Sequence, residues 1–126
     1  MEKKSLVFAN AGQVKPFLLS RNGPRWVNGE GVNFPLGMIE NAQYRNMEIH
    51  LEAGEVLVLL TDGITEAMNP VRELYSSERL EALAGRLDLR TLTSVQIIDE
   101  VFEGVKAHMD GSAQHDDMTI VVVKVL

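Results

Sequence analysis

The segment VLVLLTDG, residues Val56–Gly63, decides how this chain is expected to fold. Its five successive apolar residues are typical of a strand that is covered on both faces of a sheet. The apolar run stops at an Asp-Gly pair, which favours a turn. A second run, MTIVVVKVL at Met118–Leu126, is the most strand-like stretch of the chain and follows directly after two aspartates. The sequence therefore predicts two buried strands, one ending and the other beginning at carboxylates.

These aspartates converge if the two strands are antiparallel neighbours, because the end of one strand and the start of the other then share a sheet edge. Converging carboxylates at Asp62, Asp116 and Asp117 repel one another unless a cation or a proton joins them. Oxygen ligands suit hard cations such as Mg²⁺ or Mn²⁺, and Gly63 would let the backbone approach such an ion closely. An ordinary Asp-Gly turn and a solvated Asp-Asp cap explain the same residues without a metal. Spacing alone leaves both interpretations open.

Further strands are predicted in the first part of the chain. Two apolar runs, Ser5–Asn10 and Pro16–Arg21, are separated by a short loop that contains Gly12. Short runs joined in this way are typical of a β-hairpin, and we expect these two to pair. Partial alternation of apolar and charged residues over Ala42–Leu51 predicts another strand, half exposed.

Two helices are predicted after Pro70, where the apolar period changes from two to three or four. The first begins near Ser76 or Ser77, and the second begins at Thr93, where Gln96 three residues later completes a capping box. The first helix carries Leu80, Leu83, Ala84 and Leu87 on one side, and the second carries Val95, Ile98, Phe102, Val105 and Met109 on one face. Strands, two helices and a last strand predict an α+β fold of mostly antiparallel sheets packed with two α-helices.

Composition excludes several classes of protein. The 126 residues include 12 Lys plus Arg against 18 Asp plus Glu, a net charge of −6, so general binding to nucleic acid is disfavoured. With 45% hydrophobic residues the chain can bury one core, and without cysteine it can form neither disulfides nor thiolate metal sites. No apolar run approaches the roughly 20 residues that span a bilayer. We expect a single cytoplasmic domain with no membrane segment.

Three motifs together resemble the C-terminal half of the PPM metal-dependent serine/threonine phosphatases. They are NAG at Asn10–Gly12, TDGITEA at Thr61–Ala67 and QHDDMT at Gln114–Thr119. Each motif alone is weak, but their order, with PLG, LEAGE and ERL between them, is similar to the branch of stage II sporulation protein E and the stress-response phosphatases. The resemblance implies part of an α/β/β/α sandwich and two divalent ions, Mn²⁺ or Mg²⁺, which activate a water for attack on phosphoserine or phosphothreonine.

The resemblance also implies roles for individual residues. Asp62 and Asp116 fall on metal ligands of the family. Asp117 occupies a position that is Asp or Asn in relatives, and we expect it, with Gly63 and Glu66, to lie beside the ligands rather than to contact the metal. No residue of this chain falls on an assignable catalytic side chain.

The chain departs from the family pattern in two places, and the second departure changes what the chain is expected to do. Gln13 stands where relatives often carry histidine. The family's Asp-x-x-Gly-His-Gly segment, whose aspartate bridges both metals, does not occur in the sequence. Residues 1–126 are therefore expected to form a partial PPM domain, the C-terminal portion without the N-terminal metal-binding segment. Alone it should have little or no phosphatase activity, and it should self-associate through exposed sheet edges.

The expected function is that of the parent enzyme, hydrolysis of phosphoserine or phosphothreonine on regulatory proteins such as anti-sigma-factor antagonists. The alternative is a noncatalytic phosphatase-like module that binds a regulatory partner. The retained aspartates favour the first interpretation, and the absent bridging aspartate favours inactivity of this chain.

Overall fold

Six strands and three helices form the described part of the chain, which in this computed structural model is residues 4–29 and 33–126. The elements are β1 Lys4–Phe8, β2 Phe17–Ser20, β3 Gly23–Trp26, β4 Met47–Leu51, β5 Val56–Leu60, α1 Asp62–Thr65, α2 Ser76–Ala84, α3 Ser94–Met109 and β6 Ile120–Lys124. No helix in these ranges is long and apolar enough to cross a membrane.

The strands form two antiparallel sheets. One has four strands in the order β3-β2-β5-β6, and the other consists of β1 and β4. β5 lies inside the larger sheet, and four of its five residues are buried, as its continuous apolar run predicts. The prediction of an α+β fold with mostly antiparallel sheets is confirmed. The structure adds α1, a four-residue helix directly after β5.

Two clusters of buried side chains hold the layers together. The larger cluster fills the space between the four-stranded sheet and the helices, with residues such as Phe17, Val58 and Ile97. The smaller one lies between the two sheets and includes Leu18 and Leu57. Alternate residues of the central strands thus face opposite cores. The described layers run helix, sheet, sheet, which corresponds to part of the predicted sandwich.

The predicted hairpin of Ser5–Asn10 with Pro16–Arg21 is wrong. β1 pairs with β4 in the small sheet, whereas β2 makes a hairpin with β3, in which Gly23 has a φ of +98°. The loop between β1 and β2 is folded on itself, because the Gln13 N–H donates to Asn10 Oδ1 at 2.8 Å and Asn10 Nδ2 donates to the Gln13 carbonyl at 3.0 Å. The loop therefore carries the chain from one sheet to the other.

Both predicted helices exist, but α3 presents a different face to the core. The capping box of Thr93 and Gln96 is present. The fully buried residues of α3 are Ile97, Val101 and Val105, whereas Val95 is 64% exposed. Of the predicted face, only Val105 is fully buried, and Ile98, Phe102 and Met109 are half buried.

A glycine lies on the face that α3 turns toward α2. A Cβ at Gly104 would lie 2.4 Å from Leu83 Cδ1 and 3.1 Å from the Tyr75 hydroxyl, so α3 approaches α2 at this position. A pattern of large apolar residues treats Gly104 as a gap, whereas in the structure it lies against Leu83 and Tyr75. The predicted residues Leu80, Leu83 and Ala84 of α2 are buried, and Leu87 packs on the core beyond the end of the helix.

Candidate metal site at the edge of the larger sheet

The pairing of β5 with β6 brings the predicted site residues to one edge. The two strands are antiparallel, with Leu60 opposite Ile120, and the Thr61 N–H donates to the Thr119 carbonyl at 3.0 Å. The end of β5 and the start of β6 therefore meet, as the sequence predicts. Asp62 is the first residue of α1 and Asp116 lies in the loop before β6, and both side chains are exposed at this edge.

Gly63 lets α1 and the Asp116–Asp117 loop touch through their backbones. A Cβ on Gly63 would lie 2.2 Å from the Asp117 carbonyl oxygen and 3.0 Å from its carbon. No side chain can occupy that space, since non-bonded heavy atoms do not approach so closely. Gly63 thus permits close contact between the two aspartate-bearing segments.

The loop itself is ordered by its own polar groups. The Asp117 N–H donates to Asp116 Oδ1 at 2.7 Å, and Gln114 Nε2 donates to the Asp116 carbonyl at 2.8 Å. One carboxylate oxygen of Asp116 therefore has a backbone partner, and the side chain is oriented before any ligand binds.

A small cleft lies next to these segments. It has a volume of about 230 Å³, and its lining includes Gly63, Glu66, His115, Asp116 and Met118. The structure therefore brings Glu66 and Asp116 to one cleft. Asp62 and Asp117 are not among its lining residues, although both lie in the segments that form the edge.

The donors at this edge suit a hard cation. They are exposed carboxylates, which Mg²⁺ and Mn²⁺ accept together with several waters. Within residues 4–29 and 33–126 no group of three or more His, Cys, Asp or Glu side chains is arranged to hold a metal ion. The described residues therefore do not by themselves make a site of three or more ligands, and an ion held at this edge by one or two carboxylates would keep several of its waters.

Thr61 is the residue of this edge that sequence reasoning passed over. Its hydroxyl accepts from the Thr119 N–H at 2.9 Å and donates to the Asp117 carbonyl at 3.3 Å. The sequence signal is a hydroxyl residue placed where a buried strand changes directly into a helix. Such a residue is usually expected to cap the helix. The sequence therefore does not predict its hydrogen bonds across the sheet.

Comparison with known proteins gives one consistent result. The whole chain, residues 1–126, matches the family model described as Stage II sporulation protein E (SpoIIE). It is 31% identical to Protein IcfG of Synechocystis sp., covering 94% of this chain and 18% of that protein. It is 26% identical to Phosphoserine phosphatase RsbU of Bacillus subtilis, covering 98% of this chain and 36% of that protein. The chain thus spans about a third or less of these two relatives.

Solved structures share the fold. The PP2C phosphatase domain with a fragment of the regulatory domain of SpoIIE from Bacillus subtilis matches with a TM-score of 0.76 and 25% identity, covering 96% of this chain and 34% of that one. The SiaA-PP2C domain of Pseudomonas aeruginosa matches with a TM-score of 0.76 and 21% identity, covering 95% of this chain and 46% of that one.

Proposed function

The chain belongs to the stage II sporulation protein E family, and we propose that it is the C-terminal part of a metal-dependent protein serine/threonine phosphatase domain. The observation that carries this proposal is the pairing of β5 with β6, which brings the segments of Asp62 and Asp116 to one sheet edge. The fold shared with PP2C phosphatase domains supports it. The resemblance to PPM phosphatases implies dependence on divalent metal ions, and we propose Mn²⁺ or Mg²⁺ for this chain because the available donors are carboxylates.

In the proposed site, the residues of this edge would bind the cation and keep its ligands in position. Asp62 and Asp116 would hold the cation through their carboxylates, and Gly63 and Asp117 would keep the two segments in contact. Glu66 would lie beside the ligands at the cleft. When bound, divalent ions in such a site lower the pKa of a water and stabilise the charge of the phosphoryl group. No side chain described here is assigned to donate or accept a proton in that reaction.

The substrate class that we propose is a phosphoprotein. RsbU, one of the relatives, is a phosphoserine phosphatase, and we extend this to phosphoserine or phosphothreonine on regulatory proteins such as anti-sigma-factor antagonists. The net charge of −6 makes nucleic acid an unsuitable partner. A cytoplasmic location is part of the same proposal.

We further propose that this chain alone has little or no phosphatase activity. Two carboxylates offer too few ligands for a pair of ions, and a shared water needs both ions and a bridging group. A noncatalytic module that binds a regulatory partner is the second candidate. It is favoured by one observation, that the described residues contain no group of three or more potential metal ligands.

Metal binding tests the proposal directly. We expect Mn²⁺, titrated into the purified chain and followed by electron paramagnetic resonance, to bind weakly and in about one equivalent. Asp62→Asn and Asp116→Asn should each weaken binding by at least about tenfold, since each removes one of the few charged donors. Asp99→Asn, an exposed aspartate on α3, is the matched control and should bind as the wild type does. Equal affinity in all four proteins would contradict the assignment of the ligands.

Two further measurements separate the enzyme fragment from the binding module. Mn²⁺-dependent hydrolysis of p-nitrophenyl phosphate by the chain alone would contradict the proposed inactivity. The DNA directly upstream of the Met1 codon is the second measurement. An in-frame extension that encodes Asp-x-x-Gly-His-Gly would support a phosphatase, and an upstream sequence without it would support the binding module.

A further inference from the structure

Thr61 stands at the point where β5 becomes α1, and its backbone serves both elements. Its N–H donates to the Thr119 carbonyl of the strand ladder at 3.0 Å. Its carbonyl accepts from the Ile64 N–H at 3.2 Å, inside the first turn of α1. The carbonyl is therefore turned into the helix. The Thr119 N–H, which faces Thr61 across the sheet, needs another acceptor.

The hydroxyl of Thr61 supplies that acceptor. The Thr119 N–H donates to Thr61 Oγ1 at 2.9 Å, and the hydroxyl in turn donates to the Asp117 carbonyl at 3.3 Å. One side chain thus extends the β5–β6 ladder by a residue and ties down the loop that carries Asp116. Without it, the Thr119 N–H and the Asp117 carbonyl would both lose this partner.

A second threonine in the same chain shows that this arrangement is not ordinary capping. Thr93 precedes α3 with nearly the same backbone, φ −76° and ψ 164°, and its hydroxyl accepts from the Gln96 N–H within its own helix. Thr61 precedes α1 with φ −89° and ψ 159°, yet its side chain makes no capping bond. Its hydroxyl is used across the sheet instead.

We propose that Thr61 is a positioning residue, whose hydroxyl fixes the Asp116–Asp117 loop against the start of α1 and so sets the affinity of this edge for a divalent cation. The inference rests on the proposed function, because the cation is the one that we assign to Asp62 and Asp116. Asp62 is the next residue after Thr61, and Asp116 precedes the carbonyl that Thr61 binds. Any shift of the loop therefore changes the separation of the two carboxylates.

The test compares Thr61→Val, which keeps the branched shape without the hydroxyl, with Thr61→Ser, which keeps the hydroxyl. Thr119→Val is the matched control, because it removes a hydroxyl from the opposite position and leaves the amide donor in place. Mn²⁺ affinity is measured on the full chain by electron paramagnetic resonance. Groups that orient metal ligands are worth about 10- to 100-fold in metal affinity, so Thr61→Val should lose at least about tenfold, while Thr61→Ser and Thr119→Val should stay within about threefold of wild type.

A second readout does not depend on the metal. Hydrogen exchange of the Thr119 amide, followed by NMR without added Mn²⁺, should speed up in Thr61→Val and remain slow in Thr61→Ser. Far-ultraviolet circular dichroism establishes that each variant is folded. A folded Thr61→Val protein with wild-type affinity and wild-type exchange would overturn the inference.

The two proposals fail in different ways. If the wild type does not bind Mn²⁺, the metal roles of Asp62 and Asp116 are overturned, and the effect of Thr61 on affinity falls with them. Exchange of the Thr119 amide would then still decide whether Thr61 positions the loop. If the wild type binds and Thr61→Ser fails to restore affinity, shape rather than the hydroxyl matters, and the inference is overturned while the proposed function stands.

Discussion

At Gly63 the backbone of α1 meets the backbone of the Asp116–Asp117 loop, with no room for a side chain. Elsewhere in the chain a crowded glycine, Gly104, faces the end of a leucine side chain, which can move. At Gly63 the obstacle is a main-chain carbonyl held by its own hydrogen bond to Thr61. Local crowding at this residue therefore acts on the whole loop.

We predict that Gly63→Ala lowers the free energy of unfolding by about 2 kcal/mol, since overpacking of this kind outweighs the helix propensity gained from alanine. The same variant should bind Mn²⁺ more weakly, because the loop must move away from α1. Urea denaturation and the Mn²⁺ titration measure the two effects.

Gly85→Ala is the control. A Cβ there would lie 3.4 Å from the Glu81 carbonyl oxygen, and Gly85 has an ordinary helical φ of −65°. Its free energy of unfolding should change by less than about 1 kcal/mol. Equal effects at Gly63 and Gly85 would contradict the close contact at the site.

The position of the candidate residues at one sheet edge was predictable from the strand ends, whereas the hydrogen bonds of the Thr61 hydroxyl were not. Asp62 and Asp116 flank the two most apolar runs, so antiparallel pairing alone places them at one edge. Thr61 carries no such signal, because the direction of a side-chain hydrogen bond depends on which element its backbone carbonyl joins. That is settled only when β5, α1 and β6 are all in place.

Among the elements, α3 shows most clearly how a helix face is chosen by packing. Val101 is 3% exposed, whereas Val95 is 64% exposed. We predict that Val101→Ala lowers the free energy of unfolding by about 2 kcal/mol, through lost burial and the cavity left behind. Val95→Ala is the matched control and should change it by less than about 0.5 kcal/mol. Thermal and urea unfolding measure both changes. A larger loss of stability in Val95→Ala than in Val101→Ala would contradict the observed buried face and support the face expected from the sequence.

Tyr75, directly before α2, packs against α3, and its phenol makes the stability of the fold depend on pH. Its side chain is buried, and its ring meets the His108 ring edge-on with centroids 5.5 Å apart. Burial raises the pKa of the Tyr75 phenol, although the charges of Arg86 and Arg79 oppose the shift. A raised pKa in the folded chain stabilises the fold fully at pH values below the unfolded pKa of about 10, and this contribution is lost as the pH rises through the folded pKa.

We therefore predict that the free energy of unfolding falls above about pH 10, and that Tyr75→Phe has a shallower fall over the same range. Urea denaturation between pH 9 and pH 11 measures both. A wild type and a Tyr75→Phe variant with parallel profiles would show that this phenol is not responsible.

The elements also show where sequence patterns stop being informative. β5 and β6 could be predicted because their apolar runs are long and uninterrupted. The partners of β1 and β2 could not, because both are short apolar runs and a loop of five residues fits a hairpin as well as a crossing between sheets. In the structure the chain crosses between the sheets through the Asn10–Gln13 loop, which is closed by two hydrogen bonds between the Asn10 side chain and the Gln13 backbone.

At the scale of the whole molecule, two strands cover only part of a four-stranded sheet. Leu59, Val121 and Val123 lie on the face of the larger sheet that is turned toward β1 and β4, and they remain 39%, 49% and 42% exposed. In the described part of the chain β6 pairs with β5 alone, so its other edge is unpaired. An apolar face beside a free strand edge favours pairing with another chain.

We predict that the chain self-associates through this face, as a dimer or larger species whose fraction rises with concentration. Val121→Lys should shift the population toward monomer, because a charge would have to be buried at the contact. Val71→Lys, at a valine that is 73% exposed elsewhere, should not. Sedimentation velocity over a concentration series measures the species. A wild type that is monomeric at high concentration would contradict the prediction.

The bond between Thr61 and Thr119 joins residues 58 positions apart in the chain. All of α2 and α3 must be synthesised before β6 can reach β5, so the edge with its two aspartates is completed only after both helices have been made. A nascent chain that ends before β6 has the Asp62 segment but nothing opposite it, and cannot hold an ion between the two. Metal occupancy would therefore report that β6 has paired with β5, and by mass action a bound ion at 100 times its Kd would add about 2.7 kcal/mol to the stability of the paired state.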